Sequence, residues 1–258
     1  MKKTLLALII ALPLTSWASL ASFYPANFEN DLKNGVFAAS DFKKKLLPIV
    51  RKNHVALGYE KARIELFGHL DLKKDSRGFY LEDVYCHQEF TGKNIGPKKI
   101  PDNKVVNCEH TWPQSKFNPS EDVTAQKSDI HHLYVTGSKV NSTRGNFPFG
   151  ELLHGEYPVE NCQVSLIGQM TDKVSNASIR AFEPPTEHRG NVARSLFYFS
   201  TRYNLKIDPT QEEILKKWNN DDPVDQEEIQ RNNRIEEVQG NRNPFIDFPE
   251  LAEQISDF

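Results

Sequence analysis

Cys108-Glu109-His110-Thr111-Trp112-Pro113-Gln114-Ser115 sets a carboxylate beside an imidazole and then stops the local structure with a proline. Further along stand Asp129-Ile130-His131-His132-Leu133 and Val140-Asn141-Ser142-Thr143-Arg144-Gly145-Asn146. A hard divalent cation takes oxygen ligands, which Glu109 and Asn141 offer. A water nucleophile needs a neutral imidazole near physiological pH, which His110 offers. These are the parts of a metal-dependent phosphodiesterase.

Around this block the chain reads as mixed helix and strand. Lys104–Asn107 is expected to be a short strand leading into the Glu109-His110 pair, residues 113–128 a surface loop, and Asp129–Asn141 a helix capped by Ser128 or Asp129. On the N-terminal side, Tyr24 to about Leu57 reads as helical, with Asn27, Asp31 and Ser40 as caps and Pro48 as a weak point. Tyr59–Leu66 fits a short helix or a strand, Gly78–Cys86 a strand, and Gly92–Asp102 a turn-rich loop. On the C-terminal side, a strand pair is expected between Gly150 and Gly168 and a loop at Phe182–Pro185. Helices are expected at Asn191–Asn204, Pro209–Asn219 and Val224–Val238, the last ended by Gly240-Asn241-Arg242-Asn243-Pro244. With no internal repeat and no long linker, one α+β domain over residues 22–258 is the simplest account.

Hydrophobic residues make up 38% of the 258 and charged residues 26%, which is enough to build a core and excludes a disordered tail. Residues 1–21 read as a secretory signal peptide: Lys2 and Lys3, an apolar run from Leu5 to Leu14, and small residues around Ala18 and Ala21. That run is too short to span a bilayer, so no membrane insertion is expected after cleavage. Losing its two lysines takes the formal charge from −3 to −5, so affinity for a polyanion must come from a local groove. Export permits disulfides. Cys86, Cys108 and Cys162 allow at most one internal pair, and the spacing does not say which.

The blocks Glu109–Ser115, Asp129–Leu133, Val140–Asn146, Arg189-Gly190-Asn191-Val192-Ala193-Arg194 and Gln239-Gly240-Asn241-Arg242-Asn243-Pro244-Phe245, in this order, resemble the endonuclease I family of periplasmic and secreted bacterial nucleases. The resemblance covers roughly residues 50–250. It implies the ββα-metal (His-Me finger) nuclease fold, two strands and a helix forming the site with added helices around it. It also implies cleavage of DNA, and often RNA, with little sequence preference and 5′-phosphate products. Magnesium is the implied cofactor, with calcium or manganese as substitutes. Carried over residue by residue, Glu109 and Asn141 hold the metal and His110 is the general base. The implied location is periplasmic or secreted; no protein partner is inferred, and a monomer is expected.

Arg144, three residues beyond Asn141, is a candidate to hold a phosphate oxygen or, equally, to bond backbone carbonyls in a turn before Gly145. Arg194 and Arg189 are candidates for substrate contact, with structural ion pairing as the competing role. Trp112 is a candidate to stack on a base or sugar, or to support the site from within. Asp129 and His131 read as supporting or capping groups. Between Ser115 and Asp129 some relatives carry a longer basic loop that supplies an arginine near the cleaved phosphate; here only Lys116 and Lys127 stand in that interval. Two rival readings are a catalytically silent nucleic-acid-binding module and a phosphodiesterase acting on small molecules.

Overall fold

The computed structural model describes residues 23–38 and 40–258. The expected signal peptide lies outside the described residues. The architecture is α+β, with three small antiparallel sheets among helices.

The sheet that carries the site has two strands, Val106–His110 and Leu133–Gly137, paired antiparallel with Glu109 opposite Tyr134 and His110 opposite Leu133. A helix, Ser138–Arg144, follows the second strand without a loop. Two expectations are corrected here. The strand at 104–107 is shifted so that Glu109 and His110 are its last two residues. The helix expected over 129–141 is a 3-10 turn (Ile130–His132), then the second strand, then the true helix. All five residues of Leu133–Gly137 are buried, so the strand has no polar face and its sequence carries no alternation. Aromatic and β-branched Tyr134, Val135 and Thr136 favour the extended form.

Asp83 fixes the strand-to-helix junction. Its carboxylate accepts Gly137 N at 3.0 Å, Thr136 Oγ1 at 2.9 Å and Tyr85 N at 2.9 Å. Val84 N donates to Val135 O, laying the 83–85 segment along the second strand.

Strand alternation sends Val106, Cys108, Leu133 and Val135 into an apolar cluster with Leu66, Phe67, Ile130 and Ile235. A larger core on the other side gathers around the helix Arg189–Tyr203, close to the expected 191–204. The helices Pro209–Asp221 and Gln226–Gln239 also fall near their expected places, capped by Asp208 and Asp225.

Other segments differ from the sequence reading. The span from Tyr24 to Leu57 is broken into Phe28–Lys33, a 3-10 turn at Val36–Ala38, and Phe42–Arg51. Gly35, at φ 67°, supplies the break, while Pro48 is accommodated inside the last helix. Tyr59–Glu65 is helical and runs on through a π turn to Leu70. The strand at 78–86 stops at Glu82 and lies between Lys73–Asp75 and Glu89–Thr91. The loop at 113–128 contains a 3-10 turn, Gln114–Lys116, and a helix, Val123–Ser128, whose cap Asp122 accepts Thr124 N and Ala125 N. The strand pair at 150–168 is a three-stranded sheet of His154–Glu156, Leu166–Thr171 and Ser178–Glu183, which absorbs part of the expected loop at 182–185. Cys86 and Cys162 form the disulfide, and Cys108 is free and buried.

Candidate active site

Neighbours in a strand point to opposite faces, so adjacent Glu109 and His110 straddle the end of the Val106–His110 strand. Both still line one open cleft of about 270 Å³, together with Asn141, Arg144, Gln114 and Tyr59. Asn141 reaches it from one turn inside the helix that follows the second strand. A cleft of about 330 Å³ elsewhere, lined by residues including Tyr134, His188 and Arg231, contains none of the predicted site residues.

Glu109 is buried, and its Oε1 is held from two sides: Tyr85 Oη donates at 2.8 Å and Arg144 Nε lies at 3.3 Å. Burial raises the carboxyl pKa, against the pull of Arg144. Burial, then the charge of Glu109, keeps the Tyr85 hydroxyl protonated and hence a donor. Among the described residues, no protein donor meets Glu109 Oε2, and the Asn141 amide makes no side-chain hydrogen bond.

His110 is oriented by backbone. Its Nε2 lies 3.1 Å from Lys127 O, an atom that only accepts, so the ring proton is on Nε2 and the lone pair on Nδ1. Gln114 Nε2 approaches Nδ1 at 3.3 Å. Burial pushes the imidazole pKa down to about 4, opposed by the Lys127 carbonyl. The ring is therefore neutral at pH 7, as a proton acceptor must be. Tyr59 packs beside it with ring centroids 5.6 Å apart.

The site fits a hydrated hard cation. Two side-chain oxygen groups, Glu109 and Asn141, face one cleft without partners on the atoms in question among the described residues, which leaves further coordination positions to water and phosphate. A bound cation also offsets the cost of an ionised, buried Glu109. Among the described residues, no group of three or more His, Cys, Asp or Glu is arranged to hold a metal.

The remaining predicted residues divide. Arg144 lies at the cleft, but its Nη2 donates to Thr111 O at 2.8 Å and its Nη1 to Gly145 O at 3.0 Å. Trp112 is buried, donates Nε1 to Lys116 O at 2.9 Å and stacks on Phe199. Arg194 is not brought to the cleft: it is fully buried and donates to Glu228 (Nε at 2.9 Å), Asn219 and Asp222 O. Arg189 pairs with Glu183 at 2.6 Å. Asp129 caps the 3-10 turn through His131 N and accepts both Tyr198 and Tyr203 hydroxyls. The sequence reading missed Tyr85, Tyr59 and Gln114. Gln114 carries a signal, standing four residues after His110 in the decisive block; the tyrosines carry none, because only folding brings them near.

A sequence profile of the Endonuclease I family matches residues 38–250. The chain belongs to the Endonuclease I family. An extracellular ribonuclease of Bacillus amyloliquefaciens is 38% identical over 167 residues, 58% of this chain and 53% of the relative. An extracellular ribonuclease of Bacillus subtilis (strain 168) is 35% identical over 189 residues, 65% of this chain and 58% of the relative. An extracellular deoxyribonuclease of Aeromonas hydrophila is 26% identical over 188 residues, 63% of this chain and 78% of the relative. This Endonuclease I member thus spans a little over half the length of the two Bacillus relatives. Glu109, His110 and Asn141 all fall inside the matched region.

Proposed function

We propose that this chain is an exported, metal-dependent, non-specific endonuclease that hydrolyses DNA, and RNA as a second substrate, to 5′-phosphate ends. The observation that carries the reading is one cleft holding a neutral imidazole of fixed tautomer beside a carboxylate oxygen and an amide that have no partner among the described residues. The two strands and following helix act as the ββα-metal unit, within one nuclease domain over residues 22–258.

His110 Nδ1 takes a proton from water as that water attacks phosphorus. Lys127 O holds the ring so that the lone pair faces the cleft. Glu109 and Asn141 hold the divalent cation, magnesium by preference, and Tyr85 and Arg144 keep the carboxylate in place. When bound, the cation supplies a Lewis acid for the phosphate and the departing 3′ oxygen. Arg144 acts through Glu109, with three of its five N–H groups directed to Glu109, Thr111 O and Gly145 O. Trp112 supports the fold beneath the cleft.

Export is supported by the disulfide and by relatives named extracellular or periplasmic. Among the described residues no helix is long and apolar enough to cross a membrane. Supercoiled plasmid incubated with the protein and magnesium should be nicked and then degraded, EDTA should abolish this, and the products should accept no further 5′ phosphate from a kinase until dephosphorylated. Binding without metal-dependent cleavage identifies a silent module instead; activity confined to a small diester identifies a small-molecule phosphodiesterase.

A further inference from the structure

Attack on a phosphodiester builds negative charge on the non-bridging oxygens, and a donor aimed at them lowers the barrier. Among the described residues lining the cleft, the cation is Arg144, and three of its five N–H groups are held by Thr111 O, Gly145 O and Glu109. A neutral donor lines the same cleft. Gln114 sits on the 3-10 turn directly after Pro113 and lines the cleft. Among the described residues its amide has one side-chain hydrogen bond, to His110 Nδ1 at 3.3 Å. Because His110 Nε2 carries the ring proton, Gln114 is the donor in that bond. The bond occupies the lone pair that must receive the proton of water, so it is broken when water enters between base and phosphorus.

We infer that Gln114 is a catalytic residue: displaced from Nδ1 by the incoming water, its carboxamide N–H donates to a non-bridging oxygen of the scissile phosphate. This rests on the nuclease reading and on His110 as base. An O–H bond of water breaks, its proton goes to Nδ1, and the new O–P bond forms. The P–O3′ bond breaks, and solvent protonates the leaving oxygen. Gln114 exchanges one hydrogen bond for another and neither gains nor loses a proton. In the free enzyme the same amide keeps the buried Nδ1 satisfied and turned toward the cleft.

Two variants test this. Gln114→Met keeps length and bulk and removes the donor; Gln114→Glu keeps the shape and offers only acceptors. On a DNA oligonucleotide, kcat of Gln114→Met should fall by about 10²–10³-fold, the usual loss for one such donor, with KM within a few-fold of wild type. Gln114→Glu should lose at least as much, and carries the test alone if Gln114→Met does not fold. With stereopure phosphorothioate at the cleaved position, one isomer should be slowed in wild type, and that penalty should shrink in Gln114→Met. A wild-type kcat in either folded variant, or an unchanged sulfur penalty in Gln114→Met, overturns the inference. If wild-type protein cuts no nucleic acid with magnesium, manganese or calcium, the nuclease reading itself fails. Cleavage by wild type and variant alike sinks only the role of Gln114.

Discussion

At the scale of single residues, the site depends on how each functional group is held. His110 is held by Lys127 O and Gln114, neither of them a proposed metal ligand, so its removal should spare metal and DNA binding while proton transfer is lost. His110→Ala should lose about 10²–10⁴-fold in turnover, the usual share of a general base, while manganese titration and filter binding of DNA stay at wild-type values. Plasmid cleavage by His110→Ala at the wild-type rate would falsify its role as base. Tyr85 holds the carboxylate at 2.8 Å. Tyr85→Phe should weaken metal binding by roughly 10–100-fold, typical for a group that orients a ligand, and the magnesium concentration for half-maximal cleavage reads this directly. If that concentration does not move, Arg144 alone positions Glu109.

At the scale of elements, Asp83 joins three pieces of backbone and side chain where the Leu133–Gly137 strand becomes the Asn141-bearing helix. Asp83→Ala leaves the buried donors of Gly137 and Thr136 without their acceptor. Each orphaned donor costs about 1–3 kcal/mol, so the urea midpoint should fall clearly. Metal affinity should fall with it, because Asn141 rides on that helix; stability lost at unchanged affinity would mean the helix is held by other contacts. Arg194 shows the same logic in reverse. Its position at the start of a helix resembles a substrate-facing arginine, but folding brings Glu228 from a helix 34 residues away to meet it.

At the scale of the whole molecule, two long-range features set stability. The Cys86–Cys162 link closes a loop of 76 residues, for which chain-entropy arguments give about 4 kcal/mol. The double variant Cys86→Ser/Cys162→Ser should lose a large part of that, measured by chemical denaturation in parallel with wild type. The second feature is a set of buried neutral histidines. Burial pushes His131 down to about 4, and His132 and His188 to about 3. Their folded pKa values lie below the unfolded value near 6.5, so the unfolded chain binds protons first. Stability is therefore full above about pH 6.5 and is lost as pH falls toward 4, by up to about 1.4 kcal/mol per pH unit for each histidine. The thermal midpoint should be flat from pH 7 to 8 and drop steadily below 6.5; a midpoint unchanged down to pH 4.5 would contradict the burial of these rings.

Chemistry written into adjacent residues was legible in the chain itself. Glu109 beside His110, the stop at Pro113, Asn141 further on, and the C-terminal helices all follow from local pattern, because a helix is specified by neighbours three and four residues apart. Only the tertiary structure decided that Leu133–Gly137 is a strand, since a segment buried on both faces has no period to read. It alone decided which cysteines meet, that Arg194 is committed to Glu228, and that Tyr85 and Lys127 O hold Glu109 and His110. These pairings join residues far apart along the chain, and only burial of a common core brings them within hydrogen-bond range.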